Sequence, residues 1–192
     1  MLPHWNVESF GEPVRVVAYT NCDEAELILN GRSLGRKSVS PYTPVEWQVD
    51  YEEGRIEAVG YVGGTRVVSD VNETAGKPEK LVLKLENSIS KAGDVAIVTC
   101  YTTDSCGRLV PNASPTVEFS ANPIGKVIST GSDICDHTPL NSPKRKMREG
   151  YISIAVGVST EEGKYSAESG VIELYASAEG IKGAKLKISF GK

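Results

Sequence analysis

The sequence predicts an all-β protein built as two immunoglobulin-like β-sandwich domains in tandem, and three observations carry that prediction. Apolar and polar residues alternate with period two, turn residues separate the alternating segments at strand-length intervals, and a 3.6-residue apolar repeat is nearly absent.

The elements follow in order. Val14, Val16 and Ala18 share one face of a first strand, and Leu27 and Leu29 share one face of the next. That strand runs into Asn30-Gly31, a dipeptide that tolerates positive φ at both positions and so returns the chain in a tight hairpin through Ser33 to Val39. Val45, Trp47, Val49 and Tyr51 alternate against Glu46, Gln48 and Asp50. Glu53-Gly54 then turns into Ile56 to Val62, and a strand through Val67, Val68 and Val71 reaches Thr74-Ala75-Gly76-Lys77-Pro78. This cluster of breakers places a domain boundary, with one module over residues 1–76 and a second over 79–192.

The same grammar restarts beyond it. Leu81, Leu83 and Leu85 alternate with Lys80 and Lys84, and Val95 to Thr103 makes the next strand before Asp104-Ser105-Cys106-Gly107 turns it. Val117 to Ala121, Lys126 to Ser129, Tyr151 to Val158, Val171 to Ala178 and Leu186 to Phe190 complete about thirteen strands. Roughly twenty residues, from Gly131 to Gly150, break the pattern, and their basic run Lys144, Arg145, Lys146 and Arg148 reads as a solvated loop.

Composition bounds the function. The 192 residues carry 21 Lys+Arg against 25 Asp+Glu, a net charge of −4, with 40% hydrophobic residues. This is ordinary globular chemistry, without the basic bias or interleaved aromatics of a nucleic-acid binder. No apolar run approaches the ~20 residues that span a bilayer, and Met1 to Trp5 lacks the blocks of a signal peptide, so the expectation is a mature segment without a membrane span.

Candidate chemistry is sparse. Cys22, Cys100, Cys106 and Cys135 lack paired CxxC spacing and read as free, mostly buried thiols rather than metal ligands; a Cys100–Cys106 disulfide stays open. Asp133 and Asp136 are too few carboxylates to define a calcium site, and no cofactor is expected. His4 and His137 have no nucleophile elbow beside them, and Glu52-Glu53 and Glu161-Glu162 sit in turns where solvent leaves no acid/base division of labour. No catalytic residue is assigned. Sugar-binding surfaces use exposed rings, and the candidates are Tyr42, beside Pro41 in a loop, and Trp5, outside any alternation and open to packing or to ligand contact. Trp47, in phase with Val45 and Val49, reads as core.

Several motifs carry a resemblance. Leu2-Pro3-His4-Trp5-Asn6, Tyr19 through Gly35 with its Asn30-Gly31 turn, Trp47 through Tyr61, and Thr74-Ala75-Gly76-Lys77-Pro78 together resemble the module after the catalytic barrel in bacterial β-galactosidase-like enzymes of glycoside hydrolase family 2. Asp104-x-x-Gly107-x-x-Val110-Pro111 and Val117-x-Phe119 are more loosely similar to the immunoglobulin-like domain that follows it. Val7 stands where the family commonly has a second tryptophan, and Gly131-Ser132-Asp133 replaces a turn richer in glycine and asparagine.

The resemblance implies a non-catalytic C-terminal region whose partner is the parent enzyme's (β/α)₈ barrel, where the acid/base and nucleophile glutamates reside. Asn72-Glu73 echoes the family's acid/base pair, but its neighbours belong to the interdomain motif and it is read as coincidence. The implied role is structural support and domain positioning. The alternative is a carbohydrate-binding module that holds polysaccharide or oligosaccharide near the active site, and the implied setting is periplasmic or extracellular.

Overall fold

The computed structural model describes residues 1–7 and 11–191, and among them every regular element is a β-strand. The chain divides into two compact units, Met1–Ala75 and Gly76–Lys192.

Unit 1 holds β1 (Val14–Ala18), β2 (Glu24–Leu29), β3 (Arg32–Ser38), β4 (Val45–Val49), β5 (Arg55–Val62) and β6 (Thr65–Glu73). β1 and β4 pair antiparallel, while the others form a four-stranded sheet in the order β3-β2-β5-β6. Inward residues obey the alternation: Val16 and Ala18, Ala25, Leu27 and Leu29, Val45, Trp47 and Val49, then Ile56 and Ala58 make one core. The β2–β3 hairpin turns at Asn30 and Gly31 with φ of 50° and 82°, the left-handed pair the dipeptide favours. Asn30 then locks the neighbouring turn, its amide donating to the Glu53 carbonyl at 3.0 Å and its oxygen accepting the Arg55 N–H at 2.8 Å.

Unit 2 contains β7 (Lys80–Leu85), β8 (Ala96–Thr103), β9 (Thr116–Ala121), β10 (Gly125–Gly131), β11 (Lys144–Lys146), β12 (Tyr151–Val158), β13 (Thr160–Glu161), β14 (Lys164–Tyr165), β15 (Gly170–Ala178) and β16 (Ile181–Phe190). Eight of these form one sheet in the order β10-β12-β8-β7-β16-β15-β9-β11, joined in the middle by a short parallel contact between β7 and β16. Leu81, Val98, Cys100, Ile152 and Ile154 from one half are buried, as are Val117, Phe119, Ile172, Leu174 and Ile188 from the other. Both halves thus bury one alternate row, as a sheet must when its inner face is covered.

Two sequence expectations change. The stretch 131–150 contains β11, which pairs with β9 so that Arg145 lies opposite Val117. Its Lys-Arg-Lys triplet alternates, with both lysines exposed and Arg145 inside. The run is therefore not uniformly solvated. The cysteines are free, but only Cys22 and Cys100 are buried, while Cys106 and Cys135 are exposed. Burial pushes the Cys100 thiol up to about 12, so it behaves as a small apolar side chain.

Candidate functional site

At the two ends of unit 1, the motif residues meet. Trp5 is 1% exposed. Its indole N–H donates to the Glu52 carbonyl at 2.8 Å, and its ring tilts against Tyr51 with centroids 5.2 Å apart. The Asn6 side chain donates to the Ala75 carbonyl at 2.9 Å and accepts the Ala75 N–H at 2.8 Å, copying a backbone pair. Thr74 donates its hydroxyl to the Trp5 carbonyl at 2.9 Å and accepts the Gly54 N–H at 3.0 Å, while the Asn72 amide reaches the Pro3 carbonyl at 2.9 Å. The Leu2–Asn6 and Thr74–Ala75 motifs are one clasp. Trp5 is corrected accordingly: a ring packed into the core has no face left for a sugar.

Tyr42 is placed differently. It sits at φ 64° in a turn with its side chain fully exposed among the described residues. The structure does not bring Trp5 and Tyr42 together into one surface. Glu73, of the Asn-Glu echo, ends an edge strand 4.0 Å from Arg55.

In unit 2, Asp104 organises the turn after β8. It is buried and accepts the backbone N–H groups of Gly76 (2.9 Å), Cys106 (3.0 Å) and Arg108 (2.8 Å), and the Arg108 Nε at 2.8 Å. Burial by itself raises this carboxyl, but the Gly76 and Arg108 N–H groups and the Arg108 guanidinium outweigh it and hold it down to about 2.

A second polar cluster of unit 2 lies in the 131–150 segment. Arg145, 1% exposed, places all five guanidinium N–H donors. Nε donates to Thr130 Oγ1 (3.1 Å), Nη1 to Asp136 Oδ2 (2.7 Å) and the Thr138 carbonyl (3.0 Å), and Nη2 to the carbonyls of Thr130 (2.6 Å) and Pro139 (2.9 Å). The Arg145 hydrogen bond first, then the Thr138 N–H, keep the Asp136 carboxyl well below the usual carboxylate range. Ser132 adds a bond to the Lys146 carbonyl at 2.8 Å. An irregular segment is thus pinned by one buried cation.

Beside it the outward face of β8 and β12 carries aromatic residues. Tyr101 and Tyr151 lie opposite each other, with ring centroids 6.0 Å apart and planes at 49°. Next to Tyr151 opens a hollow of about 530 Å³ lined by Ser132, Asp133, Ile134, Leu140 and Ser153 among others. Sequence reasoning missed Arg145, Tyr101 and Tyr151. For the tyrosines a signal existed: both are out of phase with the buried rows Val98–Cys100 and Ile152–Ile154 and so must point outward.

Three acidic side chains, the buried Glu57 and Asp104 and the half-buried Asp136, are engaged with arginine: Glu57 with Arg55 and Arg66 at 2.6 Å each, Asp104 with Arg108 at 2.8 Å, Asp136 with Arg145 at 2.7 Å. Such carboxylates hold structure. The fold and these clusters define an all-β polypeptide organised by paired charges and a terminal clasp.

The family follows from comparison. Residues 81–187, more than half of the chain, match the model described as glycoside hydrolase family 2 C-terminal domain 5, and the chain belongs to that family. Residues 11–68 match a domain of unknown function, DUF4982. The chain is 31% identical over 193 residues to a β-galactosidase, BoGH2A, of Bacteroides ovatus, covering 98% of this chain and 22% of that protein. It is 26% identical to a β-glucuronidase of Formosa agariphila, over 93% of this chain and 18% of that one. Among solved structures, a β-glycosidase from Bacteroides vulgatus superposes with a TM-score of 0.87 at 28% identity, covering 98% of this chain and 24% of its own. The chain spans 15% to 22% of the length of the first relatives it matches.

Proposed function

We propose that this chain is the non-catalytic C-terminal β-sandwich region of a bacterial β-galactosidase-like glycoside hydrolase, two immunoglobulin-like sandwiches over 1–76 and 79–192 that support the catalytic barrel and position neighbouring domains. The observation that carries this reading is coverage: nearly the whole chain aligns to about a fifth of a β-galactosidase. The use of Glu57, Asp104 and Asp136 to hold strands and turns, each against an arginine, supports it.

The test has two arms. The purified chain is offered aryl β-galactosides and aryl β-glucuronides, and no turnover above buffer is expected; measurable hydrolysis that survives repurification overturns the proposal. In the parent enzyme, removing this region lowers the unfolding temperature of the remainder. An unchanged melting curve overturns the supporting role.

The rival reading, a module that holds polysaccharide near the active site, keeps one of its two sequence candidates. Tyr42 presents a free ring, and Tyr42→Ala weakens retention on insoluble glycan if that ring is the anchor.

A further inference from the structure

We propose that the hollow beside Tyr151 in unit 2 is a binding site for a single neutral hexopyranose unit of a glycan. The assignment is independent of the scaffold role and of Tyr42, and three features of the hollow carry it.

The first is its wall. Tyr151 is 43% exposed and its ring is braced by Tyr101, 6.0 Å away on the neighbouring strand. One face of a pyranose is a patch of C–H bonds with slight positive charge, and the negative face of an aromatic ring attracts it while both lose apolar contact with water. The exposed Ile134 and Leu140 extend the apolar side.

The second is its rim. A sugar's hydroxyls need both donors and acceptors, and the rim has them. The Ser153 hydroxyl makes no protein hydrogen bond among the described residues, and it lies on the same sheet face as Tyr151, two residues along β12. Ser132 donates its proton to the Lys146 carbonyl, which leaves its oxygen as an acceptor. Asp133 gives Oδ1 to the Cys135 N–H at 2.9 Å, while Oδ2 is 3.9 Å from Arg148 Nε, too far for a hydrogen bond, and is available to a hydroxyl.

The third is preorganisation. The segment that supplies Ser132, Asp133, Ile134 and Leu140 is tied by the five hydrogen bonds of Arg145 to Thr130, Asp136, Thr138 and Pro139. A ligand therefore does not have to order the loop when it binds. The volume of about 530 Å³ falls within the range of small-molecule sites and exceeds one sugar ring. Both carboxylates of the rim face an arginine, Asp136 with Arg145 at 2.7 Å and Asp133 with Arg148 at 3.9 Å, so the rim holds no unmatched cation for a ligand carboxylate. That favours a neutral polyol over a uronate.

The test is a titration of the isotope-labelled 192-residue chain, followed by backbone amide NMR, with methyl β-D-galactopyranoside, methyl β-D-glucopyranoside and methyl β-D-glucuronide. The expected result is saturable shifts confined to residues 131–153 and the neighbourhood of Tyr101 with one or both neutral glycosides, at a dissociation constant on the order of 1–10 mM for one ring. Tyr151→Ala weakens that binding at least tenfold, Tyr151→Phe retains it, and Tyr42→Ala leaves it unchanged. The Phe variant guards against loss of binding through misfolding. The assignment is overturned by no saturation at 100 mM, by equal binding of the uronide, by shifts elsewhere, or by binding that survives Tyr151→Ala. Line broadening of the same residues that dilution removes identifies a protein–protein contact and also overturns it.

Discussion

Arg145 shows what a single buried cation does to an irregular segment. A guanidinium is always charged, and five partners in fixed directions are what make its burial tolerable. Arg145→Ala leaves Asp136 Oδ2 and three carbonyls without the arginine donor, and should cost about 3–5 kcal/mol in urea unfolding. Arg145→Lys, with three donors on one atom instead of a planar fork, recovers only part of that. If the two variants unfold at the wild-type urea midpoint, the pinning role fails. Asp104 makes a pH prediction. Its carboxyl titrates near 2 in the fold against about 3.9 in an unfolded chain, so its contribution is complete above about pH 4 and disappears as pH falls through 2. Asp136 has the same sign. Asp104→Asn should lower stability at pH 7 and flatten the loss between about pH 4 and pH 2; an unaltered acid slope contradicts the assignment.

At the scale of elements, turns and ends were read with unequal success. Asn30-Gly31 was legible because backbone sterics alone dictate which residues accept positive φ. Gly54 was legible as a turn, but its tight environment was not: at φ 132° a Cβ there would lie 2.0 Å from Asn30 Oδ1. Gly54→Ala must therefore displace the Asn30 side chain and release the turn. We expect a drop in melting temperature of several degrees, larger than for Gly63→Ala, whose Cβ would meet nothing within 4 Å although its φ is also positive. Asn6→Ala removes both bonds to Ala75 and should cost about 1–3 kcal/mol by denaturant unfolding, with the lost protection from hydrogen exchange centred on Ala75. Nothing in the spacing of Asn6 and Ala75 announces that pairing. β11 escaped notice for a related reason: three residues are too short for a periodic signal, and its single inward residue is charged.

Across the whole molecule, the thirteen strands read from alternation are present, and the three added ones are the short β11, β13 and β14. Each unit buries its own inward rows. Chains cut to Met1–Ala75 and Gly76–Lys192 are therefore expected to fold separately, each with one cooperative melt and its own near-ultraviolet signature. A chain that stays unfolded in both halves refutes that independence. The sequence by itself determined the strand class, the inward rows and most turns, because each depends on residues within a few positions of one another. The motifs also carried the family, which the matched C-terminal domain model bears out. Only the tertiary structure decided the sheet order, the burial of Trp5, the five partners of Arg145 and the meeting of Tyr101 with Tyr151. Each of those joins groups that come together only when the chain folds back on itself, and period-two patterning says which side a residue faces but not what waits there.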